Sequence, residues 1–314
     1  MPVTDDDLRR YDDFVLECIR DLESLDFHPD TVVWHYTDGR GLLGILESNS
    51  LYSTQVSCLN DSSEIRYASS SFRTSLETLL PANTGDAEAT SIIRTALDFF
   101  KEETDIPANA PLPHFVTCFS GVEDDLSQWR AYSGGENGYA IGFKVADLIR
   151  AGLTLRNDFF AMVSYDKDKH GEIANRVATR TVEFYKEGLL LRRAATPEKW
   201  AMEFLEVWDK RITSLAPLVK NPCFKAENEF RLIHMLLETE LRKMCFLQKD
   251  TLLSRHIPLS CDPASGYSLL PIHGIVVGPC RHPWISLVSV NTLLRQKGYL
   301  SSVVTASRIP FQKT

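Results

Sequence analysis

Three short stretches of this sequence gather groups capable of chemistry. The first is Trp34-His35-Tyr36-Thr37. It reads as the end of a strand, and strand alternation sets His35 and Thr37 on one face. An imidazole beside a hydroxyl is suited to hydrogen-bonding the two hydroxyls of a ribose; the pattern also fits a histidine simply satisfied at a strand end. The second, Ser127-Gln128-Trp129-Arg130-Ala131-Tyr132, packs a hydroxyl, a cation and two aromatics into a short helical stretch. Helical spacing puts Ser127, Arg130 and Ala131 on a common face. Tyr132 can stack on a flat ring and Arg130 can pair with a phosphate; alternatively, Trp129 and Tyr132 fill the core and Arg130 meets a nearby acid. The third, Glu227-Asn228-Glu229-Phe230-Arg231, reads as strand, with Lys225, Glu227, Glu229 and Arg231 pointing one way. Two carboxylates sharing a cleft can steer a nucleophile and stabilise positive charge, while a solvated edge strand gives the same pattern.

The elements that must position these groups alternate between helix and strand. Thr4, three aspartates and the spacing of Leu8, Tyr11, Phe14, Val15, Cys18 and Ile19 predict a helix over 4–25. A buried strand over 31–35, a glycine-containing turn at 38–41 and a short helix around Leu42–Leu46 follow. Helices are expected over 61–81 and 86–103. A capping box of Asp61 and Glu64 accounts for Leu59-Asn60-Asp61-x-x-Glu64 without chemistry. Strands are expected over 112–119, 138–143, 161–165, 223–235, 269–277 and 300–307. Helices are expected over 171–193, over 197–215 behind Thr196-Pro197, and over 284–297. No repeat or low-complexity linker divides the chain. The expectation is a single α+β domain over 1–314, with an N-terminal helix inside 1–28 and a helical insertion at 171–215.

Composition narrows the function classes. A net charge of -8 gives no footprint of a general nucleic-acid binder. No apolar run reaches the ~18 residues of a membrane span, and the acidic start, MPVTDDDLRRYDD, is unlike a signal peptide. A cytoplasmic protein without a membrane partner is expected. The seven cysteines are odd in number, scattered and without a C-x-x-C pair, so they read as free thiols in a reducing compartment. Neither Cys58 nor Cys118 has a base placed beside it for a cysteine hydrolase, and no ligand spacing calls for a metal. Gly134, Gly135 and Gly138 match no phosphate loop, and no dinucleotide-binding or nucleophile-elbow motif occurs.

Taken in order, the three stretches resemble the core of the ADP-ribosyltransferase superfamily, in its diphtheria-toxin and poly(ADP-ribose) polymerase branch. Trp34-His35-Tyr36-Thr37 with Gly44-Ile45-Leu46 is similar to the branch's His-Gly-Ser/Thr strand and following helix. Cys118-Phe119-Ser120 with Ser127 to Tyr132 resembles its Ser-x-x-x-x-Tyr segment, and Asn228-Glu229-Phe230 its catalytic-glutamate strand. Two departures stand out. Tyr36 replaces a glycine that admits nicotinamide, and Cys118 or Phe119 stands where a first stacking tyrosine belongs. The blocks W-H-Y-T, L-N-D-x-x-E, S-Q-W-R-x-Y and E-x-E-x-R also resemble a widespread bacterial family of unknown function.

The resemblance implies a split, mostly antiparallel β core with inserted helices. It implies NAD as substrate, without a metal, and cleavage of the nicotinamide–ribose bond by transfer or hydrolysis in a toxin or phage-defence setting. Glu229 would be the catalyst and Glu227 would orient an acceptor, whose identity as protein, nucleic acid or water stays open. His35 and Thr37 would hold the adenosine-side ribose, and Tyr36 would keep a backbone amide and carbonyl beside nicotinamide, its side chain turned away. Tyr132 would stack on nicotinamide, Ser127 would hold its amide, and Arg130 would meet the pyrophosphate. The alternative is a non-catalytic nucleotide-binding sensor or interaction module on the same fold, which Tyr36 in place of glycine favours.

Overall fold

The structure, a computed structural model, describes residues 3–59, 63–100, 114–133, 138–153, 158–191, 196–236, 238–249 and 252–310. Among them are ten strands: β1 (Val32–Thr37), β2 (Leu51–Gln55), β3 (His114–Ser120), β4 (Tyr139–Lys144), β5 (Asp158–Met162), β6 (Glu229–Met235), β7 (Cys245–Lys249), β8 (Leu252–Leu259), β9 (Ile272–Val277) and β10 (Val303–Ala306). The α-helices are α1 (Asp5–Asp21), α2 (Gly39–Ser48), α3 (Ser63–Ala82), α4 (Ala87–Phe99), α5 (Leu126–Tyr132), α6 (Val145–Arg150), α7 (Lys167–Leu191), α8 (Pro197–Ile212) and α9 (Pro283–Gln296). The chain forms two compact units. One is helical, from Met1–Asp26, Leu59–Pro113 and Val163–Phe224; the other is built on the sheet, from Phe27–Cys58, His114–Met162 and Lys225–Thr314.

In the helical unit, α1 starts where the sequence places its cap. The Thr4 amide donates to Asp7 Oδ2 at 2.9 Å, and the Asp7 amide donates back to Thr4 Oγ1 at 3.2 Å. This reciprocal pair satisfies two of the donors a helix start leaves open. The buried face of α1, carrying Tyr11, Phe14, Val15, Cys18 and Ile19, follows the helical period. Tyr11 and Phe14 pack with Phe184 of α7 and Trp208 of α8 at ring separations of 4.8 to 6.2 Å. The indole of Trp208 donates to Thr181 Oγ1 at 2.8 Å, and that of Trp200 to the Tyr185 carbonyl at 2.9 Å, so the burial of both rings leaves no indole N–H unmet. Thr196 and Pro197 cap α8 as their order predicts. Of the expected capping box before α3, Asp61 and the side chain of Glu64 lie outside the described residues.

The sheet unit is α+β, with a mostly antiparallel sheet in the order β10-β9-β4-β1-β3-β2-β8-β7; β6 pairs with β3, and β5 with β6. Of the strand pairs described, β9 with β10 is parallel and the others antiparallel. The sheet parts at β3. One edge of β3 carries β6 along its whole length. The other edge is shared, with β1 meeting it at Ser120 and β2 at Phe115 and Val116. The main core lies on one face, where Val33, Phe119, Ile141, Phe143, Phe230 and Leu232 meet α2, α6 and α9. A smaller cluster of Trp34, Tyr36, Trp129, Ala140 and Val276 lies on the other.

Three expectations are corrected. The turn at 38–41 is the first turn of α2, because Asp38 Oδ1 accepts from the Gly41 amide at 2.7 Å and caps the helix. The strand expected at 161–165 runs over Asp158–Met162. The strand expected at 223–235 begins only at Glu229. Before it, Pro222–Glu227 forms a 3-10 turn started by the Asn221 side chain, which accepts from the Cys223 amide at 3.0 Å. Asn228 then takes a left-handed conformation, φ 44°, which asparagine tolerates better than most residues and which breaks the strand there.

Candidate functional site

All eight candidate residues belong to the sheet unit. Strand β1 carries His35 and Thr37 toward the main core, since His35 pairs across with Ile141 and Val33 with Phe143. The His35 ring meets Phe119 edge-on at 5.9 Å. Its Nδ1 lies 2.9 Å from the Cys118 carbonyl, so the neutral tautomer with hydrogen on Nδ1 fits there. Burial lowers its pKa, and the Cys118 carbonyl opposes part of that shift. Thr37 closes the strand with its hydroxyl against the first turn of α2. A Cβ built on Gly41 would stand 1.8 Å from Thr37 Oγ1, so glycine there leaves room for the Thr37 hydroxyl.

Tyr36 points the opposite way, as the alternation requires. Its ring packs on Trp129 at 4.6 Å. Its hydroxyl donates to the Val122 carbonyl at 2.8 Å and accepts from the Asp125 amide at 3.1 Å. Burial pushes this phenol's pKa up. Tyr36 therefore anchors the loop that launches α5. Asp125 caps that helix, its carboxylate accepting from the Gln128 amide at 3.0 Å and from the Ser127 hydroxyl. Asp124 fixes the loop from below, accepting from the Trp129 indole at 2.7 Å, the Ser307 hydroxyl at 2.6 Å and the Arg308 amide at 2.7 Å. Trp129 fits because Gly278 offers no Cβ; one built there would lie 2.8 Å from the indole. With Trp129 and Gln128 buried, Ser127, Arg130 and Tyr132 are left on the exposed side of α5. Trp129 thus fills the core, as one of the two readings held, whereas Tyr132 faces solvent.

Glu229 opens β6 and is buried, at 6% exposure. Both of its carboxylate oxygens accept from Arg231, at 2.8 Å from Nε and 3.0 Å from Nη2, and Arg231 itself is 1% exposed. This two-point pairing is the strong form of the interaction. Glu227, in contrast, ends the 3-10 turn and is not on the strand. Its backbone carbonyl accepts from Ser120 Oγ at 3.0 Å. The expected pair of carboxylates on one strand face is thereby corrected: the left-handed Asn228 separates them.

The register decides which groups meet. Trp34 pairs with Ser120, and Ser120 with Glu229, so the three side chains share one sheet face. That is the face of Trp34, Tyr36 and Trp129, on which α5 packs. His35 and Thr37 lie on the other. The structure therefore brings Glu229 and α5 to a common face and does not bring His35 or Thr37 to it. The Trp34–Ser120 and Ser120–Glu229 pairings together set this arrangement. Sequence reasoning missed Asp124 and Ser120 as organising residues. The Asp124-Asp125 pair ahead of an aromatic-bearing helix was the available signal for the first.

Among the described residues, no cluster of three histidine, cysteine or acidic side chains is arranged to hold a metal ion, and all seven cysteines are free thiols. Residues 128–232, from Gln128 in α5 to Leu232 in β6, match the model of a family described as a protein of unknown function (DUF2971). Comparison with curated proteins and with solved structures returned no match. The similarity thus spans Arg130, Tyr132, Glu227 and Glu229, and leaves out the strand of His35, Tyr36 and Thr37.

Proposed function

We propose that the sheet unit is a non-catalytic nucleotide-binding or interaction module on an ADP-ribosyltransferase-like split sheet. The observation that carries this reading is the pairing of Glu229 with Arg231. A carboxylate that stabilises a ribosyl cation must present an oxygen to the reacting carbon in an open cleft. Here the carboxylate is buried and chelated by a guanidinium, which suits a structural charge. The exposed side of α5 supplies the binding chemistry: Tyr132 a flat apolar face, Arg130 a phosphate partner, Ser127 a hydroxyl. Incubating the purified protein with NAD tests this, with calorimetry for binding and mass spectrometry for nicotinamide. The expected result is binding without nicotinamide release, weakened about tenfold by Tyr132→Ala, the scale of one lost stacking contact, and unchanged by His35→Ala.

A second reading, an NAD-cleaving transferase or glycohydrolase acting through Glu229, is favoured by one observation: Glu229 shares the face of the sheet on which α5 packs. Nicotinamide release that Glu229→Gln slows by about two to three orders of magnitude at unchanged stability would establish that reading instead.

A further inference from the structure

We infer that the β9–α9–β10 segment of the sheet unit docks on an anionic lipid bilayer through the outward face of α9. From residue 263 to residue 314 the chain has no aspartate or glutamate, while Arg281, Arg295, Lys297, Arg308 and Lys313 are cationic. These 52 residues carry +5 in a chain of net -8, which leaves -13 on the residues before them. Averaged over the whole chain, this polarity disappears.

The apolar part of the surface lies on the same segment. Val290 and Leu294 turn one face of α9 into the core, with Leu287 and Leu293 packed beside them. On the opposite side Trp284 is 75% exposed, Ile285 63% and Val288 50%. Arg295 follows on that side at helical spacing. Arg281 and His282 stand exposed just before the helix. Leu300, after α9, and Val303, the first residue of the edge strand β10, are 82% and 63% exposed. A helix apolar on both faces has one face too many for the core it covers. A tryptophan held in water beside two branched aliphatics, rimmed by cations, suits the headgroup layer, where an indole keeps its N–H wet and its ring dry.

Charge decides between occupants. Two copies meeting through this face would bring together two cationic segments, neither with an acidic residue of its own, and these repel. An anionic lipid surface attracts each arginine and lysine near it, without demanding a matched register of partners. The neighbouring acid, Asp124, is turned inward by its bonds to Ser307, Arg308 and Trp129. No helix among the described residues is long and apolar enough to cross a bilayer; docking on the surface requires none.

Flotation of the full chain with vesicles tests the inference, using phosphatidylcholine alone and phosphatidylcholine mixed equally with phosphatidylglycerol. The protein is expected to float with the mixed vesicles at low salt, to leave them at high salt, and to ignore pure phosphatidylcholine. Trp284→Ala is expected to lower partitioning about tenfold, given the apolar area of an indole. Arg281→Gln with Arg295→Gln is expected to lower it about 25-fold, about fivefold for each charge near the surface. Val288→Asp, at a solvent-facing position, should abolish flotation at an unchanged melting temperature. Equal binding to both vesicle types, or binding indifferent to Trp284→Ala and Val288→Asp, overturns the inference. Absence of binding to the mixed vesicles at low salt also overturns it, and leaves the face to an acidic protein.

Discussion

In the aromatic core of the helical unit, the buried indoles are neutral donors that meet neutral acceptors: Trp208 on Thr181, Trp200 on the Tyr185 carbonyl. His170 is held the same way, Nδ1 at 2.9 Å from the Tyr67 hydroxyl and Nε2 at 3.1 Å from the Ser164 carbonyl. At the β3–β6 seam of the sheet unit a full ion pair is taken inside instead, Glu229 with Arg231. Neutral bonds of the first kind contribute about 1 kcal/mol each and fail gently. A buried ion pair contributes little net stability as a pair, yet leaves an uncompensated charge when half of it is removed. The first region can drift in sequence one residue at a time; the second changes as a unit.

The largest effect should come from splitting that unit. Arg231→Met is expected to destabilise the protein by about 3–5 kcal/mol in urea denaturation, because it removes the buried guanidinium from which both Glu229 oxygens accept. Adding Glu229→Gln to Arg231→Met should recover a large part of the loss. If the single variants cost no more than a neutral hydrogen bond, the contrast between the two regions breaks down.

The next effect is the pH response that His114 gives the sheet unit. His114 is buried in β3, and burial, with repulsion from His234, pulls its pKa from 6.5 down to about 4. Its Nε2 has no hydrogen-bond partner among the described residues. A base whose folded pKa is depressed stabilises the fold above its unfolded pKa and loses that contribution as pH falls. Stability is therefore expected to drop by up to about 3 kcal/mol between pH 6.5 and about 4, the gap between the two pKa values. His35 acts in the same direction. His114→Leu should flatten the profile in denaturation curves taken across that range; an unchanged slope would reassign the effect.

The smallest is Trp208→Phe in the helical unit. It removes one indole donor from Thr181 and part of a ring, and is expected to cost about 1–2 kcal/mol. A loss as large as that of Arg231→Met would erase the distinction.

Much of the fold was legible because local signals agreed with burial. Thr4 with Asp7, Thr196-Pro197, the inward face of α1 and the alternation of Trp34 and Tyr36 against His35 all read correctly in isolation. Strand β2 did not, because its inward positions include Ser53 and Gln55. Ser53 is tied to Thr117 by a 2.7 Å hydroxyl bond, so polarity occupies places where an apolar pattern is sought. The β7–β8 hairpin hid for the opposite reason, with Phe246, Leu247 and Leu253 exposed. The site was legible as residues and not as an arrangement. Which face Glu229 takes relative to His35 depends on the Trp34–Ser120 and Ser120–Glu229 pairings, and no local pattern encodes a register between distant strands.

Strand β3 also bears on how the chain reaches this state. Its three neighbours touch it through Trp34 with Ser120, Thr54 with Val116, and Glu229 with Ser120, each pairing bridging tens of residues of intervening chain. None of these contacts is local, so each must overcome loop-closure entropy before it is rewarded. The β9–α9–β10 segment, by comparison, closes within 35 residues, Ile272 to Ala306. It is the natural early folder, and β3 the late one. Until β3 docks, β1, β2 and β6 all present unpaired edges at once. Slow refolding, and aggregation rising with protein concentration during that interval, are what this topology costs.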